Sequence, residues 1–368
     1  MAVTNTTLGE WACLGIGKHF QKTLKHQPQV LLDNDPEELH QMRVGMRRLR
    51  SAIAGFAPVL IFPKTIDDRS VGKVARCLGA VRDLDVLQAC LIEDYRPILP
   101  SDEQDNLDLA LFALNKQRSE AFQKIEKMFN GKLYQRLIQG LTNWLEAPQY
   151  QAIASLPIGE VLPDLLLPEL SHLFLHQGWL VGYQPVDSSS NITPDPLSNI
   201  LPVTEQDTQE EIITGKKVNQ LNLSMDSPLT QDLTQDVSNL TNNLSSNLTN
   251  PYLASEEEEL LHALRKQVKR TRYQMILFTE LYGDQYAQYL KDLGSMQDYL
   301  GELQDIVVLI EFMKKNVHKK LNKTMPCFVA ELEKKRWQVW CKWQVLQSRY
   351  LQIEVRKAWR LELLQPLV

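Results

Sequence analysis

Arg43, Arg47, Arg48 and Arg50 crowd into eight residues just behind His40, in "LHQMRVGMRRLR" (residues 39–50), and no acid interrupts the run. On an α-helix, where each residue turns about 100°, His40, Arg43, Arg47 and Arg50 share a stripe roughly 80° wide and about 15 Å long. Like charges at i, i+3 and i+4 destabilise a helix by roughly 0.2–0.5 kcal/mol per pair. That repulsion is relieved when carboxylates arrive from another helix or when an anion binds. Arginine suits anionic oxygens because its fork donates two hydrogen bonds to one phosphate. The imidazole adds another donor and gains charge below about pH 6.5.

The same spacing recurs. A shift of 222 residues carries "HQMRVGMRRLR" (40–50) onto "HALRKQVKRTR" (262–272), pairing His40 with His262, Arg43 with Arg265, Arg47 with Lys269 and Arg50 with Arg272. The same shift carries "LGAVRDLDVL" (78–87) onto "LGELQDIVVL" (300–309). Two separate motifs keeping one offset imply two copies of one helical unit. In each copy an apolar stripe adjoins the basic one: Met42, Met46, Leu49, Ile53 and Phe56, matched by Leu264, Val268, Met275 and Phe278. One face is for the core and the next for anions. A lone basic run reads as a solvated face; repetition at one spacing favours two stripes lining one groove.

The second motif offers carboxylates, Asp83 and Asp85 in one copy and Asp305 in the other. They could hold a metal or move protons; the preferred reading is that Asp83 and Asp305 orient basic side chains on the neighbouring helix. Arg69, Lys73 and Arg76 share the Asp83 stripe and could extend the basic surface, although the second copy keeps only Lys291 of that set. Gly79 and Gly301 are expected to allow close helix contact. His172 and His176 are four apart but have no third ligand nearby, so no metal site is assigned. Trp337, Trp340, Trp343 and Trp359 fall at roughly helical spacing and read as core. The phosphate-binding loop, dinucleotide-binding and nucleophile-elbow motifs are absent.

The elements that must position these residues are helices. Apolar residues recur every three or four positions, and no stretch alternates as a strand. Helices are expected near 8–30, 36–60, 66–95, 102–129, 133–145, 162–181, 256–281, 284–317 and 326–361, with short connections suited to antiparallel bundles. The 368 residues, 43% of them hydrophobic, allow a sizeable core. Five scattered cysteines without a C-x-x-C pair suit a reducing cytoplasm. No signal-peptide pattern and no apolar run long enough to span a membrane is seen. Residues 185–252, rich in Ser, Asn, Thr, Gln and Asp, read as a disordered insert. Residues 185–259 hold 13 acids and two lysines, a net −11 against −5 for the whole chain, which leaves the remainder at +6. A phosphate polymer or nucleic acid therefore suits the folded part better than the overall charge suggests.

Together "LHQMRVGMRRLR", "LGAVRDLDVL", "LHALRKQVKRTRY" and "LGELQDIVVL" resemble the CHAD domain, the conserved histidine α-helical domain. The resemblance runs over about 8–361, the insert excepted. It implies an all-α fold of two antiparallel four-helix bundles related by pseudo-twofold symmetry, with a basic groove between them. The first half covers 8–184, with its last helix (about 162–181) placed where it can pack with the second half, 253–362. The resemblance further implies binding of inorganic polyphosphate and association with polyphosphate granules in the cytoplasm. Matched position by position, the binding set is His40, Arg43, Arg47, Arg48, Arg50, His262, Arg265, Lys266, Lys269, Arg270 and Arg272, to which the stripe reading adds Lys73 and Arg76. Gln304 and Val307 replace Arg82 and Asp85 in the second copy, which weakens it electrostatically.

The favoured reading is a non-catalytic polyphosphate-binding module with no cofactor. The alternative is a metal-dependent phosphohydrolase or phosphotransferase using His40, Asp83, His262 and Asp305. RNA or DNA binding ranks below both, because the basic helices carry no aromatic platform or groove-reading set.

Overall fold

The first three helices begin where the sequence supplies partners for the orphan N–H groups of an opening turn. Helix α1 (Leu8–Leu32) starts at Thr7, whose Oγ1 accepts from the Glu10 N–H while the Glu10 carboxylate accepts from the Thr7 N–H. Asp33, with φ of 50°, closes it in a left-handed turn. Helix α2 (Pro36–Gly55) follows at once, with Asp35 accepting from the Glu37 N–H at 2.8 Å and Pro36 in the first turn. Helix α3 (Asp68–Ala89) is capped by Asp67, which accepts from the Ser70 N–H at 2.7 Å, and passes into a π-helical turn, Cys90–Tyr95.

Beyond it come α4 (Ser101–Phe129), α5 (Lys132–Glu146) and α6 (Ile158–Phe174). The later stretch holds α7 (Ser255–Ile276), α8 (Asp284–Asn316), the single turn α9 (Leu321–Thr324), α10 (Pro326–Leu351) and α11 (Ile353–Leu363). A two-residue antiparallel pairing of β1 (Leu60–Ile61) with β2 (Gln149–Tyr150) ties two loops together. This computed structural model describes residues 6–183, 253–317 and 319–367, so the insert expected at 185–252 lies outside the described residues.

The protein is all-helical, as expected, with differences at several helix ends. Helix α2 stops at Gly55 rather than near residue 60, where another helix crosses: a Cβ on Gly55 would collide with the Gln274 side-chain amide. Helix α6 begins upstream of 162, takes in Pro163 and Pro168, and ends at Phe174. His176 Nδ1 then accepts from the Gly178 N–H and caps a short 3-10 turn, so this histidine serves the backbone. The last expected helix breaks at Gln352, whose extended backbone (φ −69°, ψ 133°) lets α11 return against α6 and α8. Glu256, Glu257, Glu258 and Glu259 belong to the start of α7, where acids suit the positive end of the helix dipole. Residues 185–252 then hold nine acids and two lysines, and the rest of the chain carries only +2. Basicity is a local property of the site rather than of the whole fold.

Packing follows one order in both stretches. Helix α1 packs on α2, α2 on α3 and α3 on α4; likewise α6 packs on α7, α7 on α8 and α8 on α10. Helix α2 also meets α7 directly. Apolar residues from both stretches share one large core, which contains Met42, Met46, Leu264, Val268, Trp340, Trp343 and Trp359. Three of the four tryptophans are fully buried, whereas Trp337 is 41% exposed. A second apolar cluster joins Leu91, Tyr95, Leu107, Leu111 and Leu114 to Ile306, Leu309, Met313 and Phe328. Helix α3 contributes Val71, Val74, Leu78 and Val81 to the first cluster, and its C-terminal end reaches the second; α8 changes over between Leu303 and Ile306. Asp83 and Asp305 stand at these two changeovers.

The second cluster is pinned by a buried carboxylate. Glu103 of α4, 1% exposed, accepts from the Cys327 and Phe328 N–H groups at 2.8 and 2.9 Å and so caps α10 from across the chain. Glu103→Gln leaves one amide donor facing these donors. It is expected to cost about 2 kcal/mol, read as a lower urea midpoint with unchanged slope.

Candidate anion-binding seam

Helices α2 and α7 meet at their C-terminal ends through apolar and neutral groups. The Phe56 and Phe278 rings pack edge to face with centroids 5.7 Å apart, and Gln274 Nε2 donates to the Ser51 carbonyl at 3.0 Å. One turn earlier the contact becomes cationic. The Arg47 guanidinium lies over the Tyr273 ring, 4.6 Å from its centroid. Burial lowers the Arg47 pKa, and Arg43, Arg48 and Arg272 push the same way. Burial also pulls the Lys269 ammonium down to about 8, assisted by Arg47, Arg43 and Arg265 and opposed by Asp83. Arg43 and Arg47 of α2 therefore share one electrostatic neighbourhood with Arg265 and Lys269 of α7.

Glycines make room for this charge. Gly79 and Gly301 were expected to bring helices close; instead each seats a guanidinium. A Cβ on Gly79 would meet Arg43 Nε at 3.5 Å, and one on Gly301 would meet an Arg265 nitrogen at 3.2 Å. Gly72 and Gly294 do the same for Arg50 and Arg272, at 3.2 and 3.5 Å. Both glycine pairs keep the 222-residue shift, a signal present in the sequence that covered only Gly79 and Gly301 in its reading.

Neutralisation is confined to the flanks. Arg43 donates to Asp83 at 3.0 Å, which bears out the orienting role expected of Asp83, but that carboxylate is 69% exposed and the pair is open to solvent. Arg50 grips Asp68 with two bonds, at 2.7 and 2.8 Å, and the pair holds the Asp68 carboxyl below its usual range, with Arg76 and Arg270 adding to the effect. Arg272 donates to the neutral Gln297 at 3.3 Å. Among the described residues, no carboxylate lies within ion-pair distance of Arg47, Arg265 or Lys269. Asp305 is exposed to solvent; partial desolvation still raises its pKa, and Arg265 opposes the rise.

Several buried nitrogens here have no partner among the described residues. His40 Nδ1, His262 Nδ1, Arg47 Nε and Arg272 Nε are buried without a hydrogen-bond partner. Burial lowers the pKa of both histidines, with Arg82 adding to the effect at His40 and Lys266 at His262, while a hydrogen bond that the His262 ring donates to Gln304 opposes it. Their charge therefore arrives below the ordinary value of 6.5 rather than at it. Unsatisfied buried donors are costly in a low-dielectric site. An anion bearing several oxygens would satisfy them together.

The remaining candidates turn elsewhere. Arg48 faces α1, where it bears on His19 and Lys22. Arg270 donates to Glu169 of α6 at 2.7 Å, and Lys266 bears on His176. Arg76 approaches Arg50 over Gly72. Lys73 is exposed on α3. Asp85, considered as a proton carrier, accepts from Arg118 at 2.6 Å in a bridge that also takes in Asp33, so it joins α3 to α4. Tyr273 and Asp298 were not anticipated; Asp298 is an exposed residue whose pKa is raised by partial desolvation against the pull of Arg272 and Arg265. A tyrosine among basic residues and an acid 222 positions beyond Arg76 carry no motif. An open depression lined by Phe62, Arg136, Asn143 and Trp144 involves none of the basic set.

Comparison with known proteins follows this geometry. No curated protein matches the chain. Among solved structures, the CHAD domain from the plant Ricinus communis is 19% identical, with 98% of this chain and 92% of that one covered and a TM-score of 0.49. PptA from Streptomyces chartreusis is 10% identical, with 93% of this chain and 100% of that one covered and a TM-score of 0.58, a likeness of fold. The family model described as CHAD domain matches residues 15–314, and the chain belongs to that family.

Proposed function

We propose that this protein binds inorganic polyphosphate along the α2–α7 seam, as a binding module rather than an enzyme. The supporting observation is the convergence of Arg43, Arg47, Arg265 and Lys269, three of them without a carboxylate partner among the described residues, beside two buried guanidinium N–H donors and two imidazole nitrogens that lack partners. A linear polyanion offers acceptors at short, regular intervals and replaces the exposed acids on the flanks. Arg50, Arg76 and Arg272 extend the track, and Lys73, Arg48, Lys266 and Arg270 form an outer basic margin for longer chains. The two stretches are read as copies of one unit, since the glycine–arginine seats and the packing order repeat with the motifs. The cell compartment proposed is the cytoplasm, at polyphosphate granules; among the described residues no helix is long and apolar enough to cross a membrane.

The deciding experiment is a competition at fixed salt between polyphosphate and single-stranded RNA of equal charge. Polyphosphate is expected to win by at least about tenfold, since a polymer of phosphates alone brings its oxygens closer together than a nucleotide chain does. Equal affinity would remove the dedicated site. Release of phosphate in the presence of Mg²⁺ would favour the hydrolase reading.

Binding should also be linked to protons. Lys269, held near 8, faces Arg43 and Arg47 from α2, Arg265 on its own helix and Asp83 from α3. A bound polyanion raises that pKa, so complex formation takes up a proton around pH 8 and affinity falls as pH rises through it. Calorimetry in buffers of different ionisation heat at pH 8 is expected to show uptake approaching about half a proton, the fraction of Lys269 that is neutral there before binding.

A further inference from the structure

Lys269 combines three properties that no other element of the seam shares. It carries a primary amine, it stands among three guanidinium groups with no carboxylate within ion-pair distance among the described residues, and it is only partly buried. The arginines that surround it form a place for a small phosphate as well as for a polymer. An amine held beside a docked phosphate is positioned to attack whatever that phosphate is bonded to.

We infer that Lys269 is a site of direct acylation by small acyl phosphates, whose phosphate docks on Arg43, Arg47 and Arg265 while the Lys269 amine attacks the acyl carbon. The neutral amine forms the new C–N bond, the C–O bond to phosphate breaks, inorganic phosphate departs with the bonding pair, and the amine loses its proton to solvent. No other reactant is needed. The product is a neutral amide in the middle of the basic seam, so the reaction deletes one of its central charges. The inference rests on the anion-binding reading of the seam, and it makes the acyl phosphate pool a regulator of polyphosphate affinity. Polyphosphate occupies the same guanidinium groups and therefore protects the lysine.

The chemistry is favoured by the protonation state. With Lys269 near 8, about a quarter of its amines are neutral at pH 7.5, against about one in a thousand for an ordinary lysine near 10.5. Proximity to the bound donor adds to that advantage.

The test treats the full chain with acetyl phosphate and with N-hydroxysuccinimidyl acetate, which acylates amines but has no phosphate, and follows each lysine by peptide mass spectrometry. With acetyl phosphate, Lys269 is expected to react at least about tenfold faster than the exposed Lys64, with a rate that half-saturates near pH 8. Polyphosphate should suppress acetylation of Lys269 and leave that of Lys64 unchanged. Arg47→Gln should lower the preference for Lys269 with acetyl phosphate but not with the phosphate-free donor. Equal rates at Lys269 and Lys64, or the same preference with both donors, would overturn the inference. Polyphosphate affinity measured on untreated protein keeps the two readings apart. Tight polyphosphate binding without Lys269 acetylation sinks this inference alone, and acetylation without polyphosphate binding sinks the polymer reading alone.

Discussion

Replacing Arg43, Arg47, Arg265 and Lys269 together with glutamate is expected to weaken polyphosphate binding by at least about 1000-fold and to leave the protein helical. The loss is large because four attractive charges become four repulsive ones within a single neighbourhood, and binding of a polyanion depends on the number of phosphates neutralised. Helicity should survive because none of the four side chains fills the apolar core; that role belongs to Met42, Met46, Leu264 and Val268. Among the described residues, the one ion pair removed is Arg43–Asp83, whose acid is mostly exposed and whose net contribution is about 0–1 kcal/mol. Fluorescence anisotropy with labelled polyphosphate measures the affinity, and far-ultraviolet circular dichroism checks the fold. A parallel variant with four glutamines removes attraction without adding repulsion, and a smaller loss of the same sign is expected there. Wild-type affinity in either variant, with helicity intact, would show that the polymer binds elsewhere.

Lys269→Met is expected to make the protein more stable while making it a poorer binder. Lys269 is a partly buried cation beside three others, and its depressed pKa measures what it costs the folded state to keep it charged. The folded value lies below the unfolded one, so the unfolded chain binds more protons between about pH 8 and 10.5, and stability rises with pH across that window. The cost is fully present below pH 8. Discounted for partial exposure, it is about 2 kcal/mol at pH 7, at 1.36 kcal/mol per pKa unit. Methionine keeps the apolar stem and removes the charge. Denaturant melts at pH 7 should show a gain of that size, shrinking toward zero by pH 10.5, while polyphosphate affinity at pH 7 falls about tenfold. A destabilised Lys269→Met protein would mean that the ammonium has a stabilising partner in the fold. The opposite signs of the two effects separate a residue kept for binding from one kept for stability.

The reach of the sequence is clearest at the seam. His40, Arg43, Arg47 and their counterparts could be placed on helix faces because three- and four-residue spacing fixes which side chains share a stripe. That Asp83 would steer a basic neighbour was also legible. The course of Arg48, Lys266 and Arg270 was not: all three lie to one side of the stripe, and only the packing of α1 and α6 decides what they face. Glycine carries no side chain to show its purpose, so Gly79 and Gly301 suggested close helices when they in fact accommodate guanidinium groups. The stop of α2 at Gly55 coincides with a tertiary crossing at Gln274, far away in the sequence. The break at Gln352 has no proline or glycine to announce it. Glu103 looked like an ordinary acid in the first turn of α4; that it caps α10 depends on long-range packing.

The central claim is that cations from two helices act on one ligand together. It is tested most directly by the salt dependence of polyphosphate affinity in the wild type and in the Arg47→Gln and Lys269→Gln variants, singly and combined. Each neutralised charge contributes roughly 0.7–0.9 to the slope of log affinity against log salt. The account predicts that each single variant lowers the slope by about that amount and that the double variant lowers it by about twice as much. Wild-type slopes in all three variants would contradict it, because the polymer would then be held by charges other than those that meet between α2 and α7.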